Sequence, residues 1–99
     1  MSTSIEHLNK MFESRYRLGI MSALIVNDSI DFNSMKQALG VTDGNLASHA
    51  AALEEEGYVK VKKEFVGKKP QTTYVLTAAG RRAFSEHIDA LERLIKNSK

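Results

Sequence analysis

The chain has 99 residues and no cysteine, so disulfides and thiolate metal sites are excluded and a single domain over residues 1–99 is expected. Apolar residues make up 42% of it; a chain this short buries only about 60–70% of its extended surface and can lean on a partner subunit. The net charge of +2 hides an asymmetry. Lys60 to Arg82 holds seven basic residues against Glu64 alone, a balance of +6, and the rest of the chain has seven basic and eleven acidic groups, −4. Such a footprint suggests a polyanionic partner.

No apolar run approaches the roughly 20 residues that cross a bilayer, and the first residues carry no basic region followed by an apolar block. The expectation is a cytoplasmic protein with no membrane partner. In Ser4 to Phe12, Ile5, Leu8 and Phe12 fall at helical spacing. Ser14 is placed to cap a helix through Arg15, Leu18, Met21 and Leu24 that ends near Asn27-Asp28. One kinked helix over 4–27 and two helices fit equally. The apolar positions cover more than one face, so this region is expected to pack on its own domain and on a second subunit.

Ser29 to Phe32 is short and β-leaning. Asn33 is placed to cap a short helix, Ser34 to Leu39, with Met35, Ala38 and Leu39 inward and Gly40 at its end. After a glycine-containing connection of about three residues, the spacing of a helix-turn-helix, comes Thr42 to Gly57. Thr42 is an N-cap, Asp43 suits the helix dipole, and Gly57 stands where a left-handed residue ends a helix. Leu46, Ala50 and Leu53 form its apolar stripe. Gly44, Ser48, Ala51, Ala52 and Glu55 point away from it, with Asn45 and His49 beside it. This small, nearly uncharged face fits a DNA major groove, about 12 Å wide. Alanines also occur simply as the best helix formers.

The period then changes to two. Val59 and Val61 alternate with Lys60 and Lys62, Thr72 to Leu76 is a second strand, and Val66 to Gln71, with the only proline, reads as the loop between them. A basic-tipped hairpin placed here is a wing. Thr77 is placed to cap a last helix, Ala78 to about Asn97, with a stripe of Phe84, Ile88, Leu91 and Ile95. That helix spans about 30 Å, more than a small core requires, so its outer half calls for a second chain.

The order of elements resembles small winged helix-turn-helix transcriptional regulators of the MarR and ArsR group. Four stretches carry the resemblance: F-N-S-M-K-Q-A-L-G, V-T-D-G-N-L-A-S-H-A-A-A-L-E-E-E-G-Y-V, T-T-Y-V-L-T and A-A-G-R-R-A-F, from Phe32 to Phe84. Leu46 to Val59 (L-x-x-H-x-x-x-L-x-x-x-G-Y-V) and Thr77 to Arg81 (T-x-x-G-R) are the specific motifs. The resemblance implies an α+β, mostly α fold with a two-stranded wing. It also implies a homodimer joined through terminal helices 4–27 and 78–97, with recognition helices and wings on double-stranded DNA. Two departures stand out: the metal-sensing ArsR proteins use cysteine and histidine ligands, and Ser48 and Ala51 occupy positions where the group often has larger side chains.

Asn45, Ser48 and His49 are therefore the candidates for base-edge contact, and His49 has packing against backbone as its alternative. Thr42 is a candidate for phosphate at the helix N-terminus. Asp43 is a dipole partner, or an acceptor for a cytosine amino group. Lys68 and Lys69 at the hairpin tip, with Lys60 and Lys62 on one strand face, are the candidate phosphate or minor-groove contacts. The dimer candidates are Ile5, Leu8, Phe12, Phe84, Ile88, Leu91 and Ile95. Any small-molecule effector would lie at the dimer seam. No enzyme, cofactor or metal is expected: His7, His49 and His87 sit in three segments, and no phosphate loop or nucleophile–base signature occurs. Met1, Met11, Met21 and Met35 read as core filler. Two other readings stand beside a sequence-selective regulator: a winged-helix protein–protein adapter, and a non-specific nucleoid coat.

Overall fold

The computed structural model describes residues 5–97. A single 3₁₀ turn, Lys10–Phe12, precedes α1 (Arg15–Asn27), β1 (Ser29–Asp31), α2 (Phe32–Leu39), α3 (Asp43–Glu55), β2 (Val59–Val66), β3 (Lys69–Leu76) and α4 (Ala78–Asn97). The strands form one antiparallel sheet in the order β1-β3-β2. Tyr74 is its centre, paired with Ile30 on one side and Val61 on the other.

The expected helix before Ser14 does not form. Ile5 to Leu8 is turn and bend, and Ser4 lies outside the described residues. Asn9 is the cause: its extended backbone N–H donates to His87 Nδ1 at 3.0 Å, its Oδ1 accepts from Met11 N, and its Nδ2 donates to the Tyr58 hydroxyl at 3.1 Å. These bonds compete with a helix across Asn9. Ser14 caps α1 as expected, its Oγ accepting from the N–H groups of Tyr16 and Arg17.

α2 starts two residues earlier than its sequence suggests. Asp31, not Asn33, is the cap, accepting from Ser34 N at 3.0 Å. Hydrogen bonds from the Ser34 side chain and backbone hold the Asp31 carboxyl below its ordinary value. Met35 is buried and Leu39 packs on the core, but Ala38 is exposed. The wing is also longer than expected. Only Gly67-Lys68 separates β2 from β3, and Phe65 and Val66 pair with Pro70 and Lys69. Gly67, at φ 66, takes the first position of a two-residue hairpin turn, where a primed turn requires a positive φ. Pro70 is tolerated because β1 stops opposite Thr73, leaving β3 an edge there.

The core joins Ile20, Met21 and Leu24 of α1 to Met35, Leu46, Leu53, Val59 and Tyr74. Phe12 and Phe84 belong to it too, 2% and 6% exposed with ring centroids 5.2 Å apart. This corrects their assignment to a dimer seam, since neither has surface left to offer. α4 carries two apolar faces rather than one stripe. Gly80, Phe84, His87 and Ala90 turn inward, and Ile88, Leu91 and Ile95 turn outward and are exposed. Ile5 is exposed and Leu8 half-buried.

The end of α3 is locked to the start of α4. Gly57 N and Tyr58 N donate to Glu54 O and Leu53 O, the paired bonds of a Schellman motif, with Gly57 at φ 83. Thr77 Oγ1 donates to Gly57 O at 2.7 Å and accepts from Gly80 N at 2.9 Å, and Thr77 N donates to Tyr58 O. A Cβ on Gly80 would lie 2.1 Å from Tyr58 O, so the T-x-x-G element is the footprint of this close approach. Arg81 pairs with Asp28 at the end of α1.

Candidate nucleic-acid interface

α3 buries Leu46, Ala50 and Leu53 and exposes Gly44, Ala47, Ser48 and Ala51. The exposed positions between Gly44 and Ala51 therefore carry side chains no longer than a serine, which lets a second surface come close to the backbone there, with Asp43 exposed at one end of the helix and Glu54 and Glu55 at the other. Thr42 Oγ1 accepts from Asn45 N at 3.1 Å and fixes the first turn. Asp43 forms an ion pair with Lys36 of α2 at 2.7 Å. An exposed pair of this kind contributes under about 1 kcal/mol, but it also neutralises the acid nearest the helix start.

An open groove of about 390 Å³ separates α3 from the wing, lined by Ala47, Ala51, Glu54, Val61, Lys63 and Thr72 among others. Strand alternation explains which lysine reaches it. Val59 is buried and Val61 half-buried, so Lys63 shares their face, while Lys60 and Lys62 lie on the opposite face. Lys60 and Lys62 are thus turned away from the groove. Lys68, in the turn, and Lys69, at the start of β3, are exposed at the end of a hairpin whose strands of eight residues span about 25 Å.

His49 is half-buried and already engaged. Its ring stacks on Tyr16 at 4.8 Å and 11°, and Arg17 Nη1 lies 3.0 Å from Nδ1. A guanidinium cannot accept, so Nδ1 does, and Nε2–H is left as the ring's donor. Arg17 Nε donates to Met11 O at 2.7 Å, and the Arg15 guanidinium lies 5.4 Å from the Tyr16 ring centre. The fold therefore gathers Arg15, Tyr16, Arg17 and His49 at the flank of α3. Asn45 is half-buried on the same helix, and Thr42 and Ser48 are exposed.

Sequence reasoning missed Arg17 and Lys36, whose partners lie on other elements and leave no periodic signal, and Arg15, which lies over its neighbour Tyr16. Lys63 was readable, because it continues the alternation that puts Val59 and Val61 inward. His7 and His87 stay apart from this region, His7 in a turn and His87 in the core. Among the described residues, no helix is long and apolar enough to cross a membrane.

Comparison with known proteins adds four likenesses. Residues 16–95 match the winged helix DNA-binding domain family. An uncharacterized protein of Methanocaldococcus jannaschii is 38% identical over 88 residues, covering 89% of this chain and 96% of that one. A transcriptional regulator homologue from Pyrococcus horikoshii superposes with a TM-score of 0.83 at 29% identity, over 90% of this chain and 88% of that one. At 12% identity, BpsR of Bordetella bronchiseptica shares the fold, with a TM-score of 0.73 over 93% of this chain and 69% of its own; its DNA binding is regulated by 6-hydroxynicotinic acid.

Proposed function

Since the chain belongs to the winged helix DNA-binding domain family, with transcriptional regulators among its structural neighbours, we propose that it is a homodimeric, sequence-selective regulator that binds double-stranded DNA. The observation that carries this reading is the small-residue outer face of α3, set across an open groove from a lysine-bearing hairpin. In this reading α3 enters the major groove by its N-terminal half. Thr42 and the free backbone N–H groups there meet a phosphate. Asn45 and Ser48 reach base edges, and His49 offers Nε2–H. Lys68 and Lys69 contact phosphate or the minor groove. Lys63 and Arg15 join the contact set, and Lys60 and Lys62 add long-range attraction.

The seam between protomers is assigned to Ile88, Leu91 and Ile95 with Ile5 and Leu8. An effector, as BpsR has, would bind at that seam. In-vitro selection of duplexes from random DNA tests the reading. The expected result is one enriched motif with two-fold symmetry and half-sites about 10 bp apart or a multiple of that. No enrichment above the starting pool would contradict it.

The short reach of Ser48 and Ala51 favours a second reading, a protein–protein adapter whose α3 face meets another protein. Capture of one acidic protein partner, together with no duplex binding at low salt, is the outcome that selects it.

A further inference from the structure

The wing ends in apolar surface that packing within the protomer does not use. Phe65 is 74% exposed and Val66 58% exposed. Phe65 continues the sheet face of Val59, Val61 and Lys63, the face that lines the groove beside α3, and Pro70 stands across from it on β3. Along that face the strand runs from a buried valine to an open aromatic ring within six residues.

The surroundings choose the occupant. Lys63 neighbours Phe65 on its own face and Lys68 lies in the adjoining turn, while the wing's only acid, Glu64, and Lys69, which pairs with Val66, alternate onto the other face. An apolar ring flanked by cations matches the chemistry of the DNA minor groove, which accepts apolar wedges between base steps while phosphates line both sides. The tip is also short. Its turn has two residues, and the Pro70 ring fixes its own φ opposite Phe65.

We propose that Phe65 is an apolar wedge that enters a base step in the minor groove and bends the bound duplex. This rests on the DNA-binding reading above. The unstacking of a base step is repaid by the extra contact that bent DNA makes.

The test uses the full chain and the tightest duplex recovered from random DNA, labelled at its two ends for energy transfer. Wild type should bend it by at least about 20°. Phe65→Ser should abolish the bend and weaken binding about tenfold, and Phe65→Leu, which keeps an apolar wedge, should restore most of the bend. Lys68→Ala should weaken binding and lower its salt dependence while the bend persists in the bound fraction. Phe65 is exposed, so these variants keep the fold, which circular dichroism checks. Wild type that binds without bending, or Phe65→Ser that bends as wild type does, overturns the wedge and leaves the DNA reading intact. Absence of duplex binding overturns both. Phe65-dependent binding to phosphatidylserine vesicles alongside an unbent duplex would assign the tip to lipid and overturn the wedge.

Discussion

His87 shows how one buried polar side chain holds two distant segments together. Its Nδ1 accepts the Asn9 N–H at 3.0 Å, and its ring meets Phe12 edge-on at 5.2 Å. Burial pushes its pKa below the ordinary 6.5, against a smaller upward pull from Glu13. In the window below 6.5 the unfolded chain thus binds more protons than the folded one, so stability rises with pH there. Protonation of Nδ1 would also remove the acceptor that Asn9 uses. Thermal unfolding should show stability complete above about pH 6.5 and declining as the pH falls through the lowered pKa. His87→Gln should flatten that decline; an equal decline in the variant would dissociate His87 from it. A second residue with a defined task is Gly80. Gly80→Ala puts a methyl into the Tyr58 carbonyl, and denaturant titration should register a loss of about 1–3 kcal/mol or more. The Thr77–Arg81 motif was legible in the sequence, but its reason was not, because Tyr58 lies on the other side of the wing. The same holds for the Arg17–His49 and Asn9–His87 bonds, in which partners 32 and 78 residues apart meet.

At the scale of elements, α3 and the wing divide the work. α3 is held by Thr42 at one end and the Gly57 Schellman motif at the other, both readable from the sequence because capping is local. Readings failed where two local solutions competed or a distant one won. Asp31 and Asn33 are both good caps, and Asp31, the last residue of β1, takes the role because α2 begins at the next residue, Phe32. Ile5, Leu8 and Phe12 have helical spacing, but Asn9 spends its hydrogen bonds on His87 and Tyr58. The Val66–Gln71 stretch looked like a loop on account of its proline, yet an unpaired edge makes room for Pro70 in β3. The lysines of the tip are exposed, so Lys68→Ala with Lys69→Ala should leave the fold unchanged. It should lower the magnitude of the salt slope of DNA binding by about 2 per protomer. An unchanged slope in fluorescence titrations would remove the tip from the contact set.

For the whole molecule, α4 is the element on which the proposed dimer rests. Its inward face closes the core through Phe84, His87 and Ala90, and its outward face leaves Ile88, Leu91 and Ile95 exposed. The sequence showed that the helix was longer than one core needs, but merged the two faces, because Phe84 lies four residues before Ile88 and helical period alone joins them. Leu91→Glu with Ile95→Glu should convert a dimer to a monomer in sedimentation equilibrium and weaken binding to a two-half-site duplex while sparing the fold. A variant that sediments as wild type does would move the seam elsewhere.

In the proposed function, α3 and the lysine wing together grip duplex DNA. That grip is tested most directly by titrating wild type against the selected duplex and a shuffled one at several salt concentrations. Three to five phosphates neutralised per protomer give a log–log slope of about −5 to −9 for the dimer, with the selected duplex bound more tightly at every salt concentration. A slope of zero, or equal affinity for the two duplexes, would contradict the account.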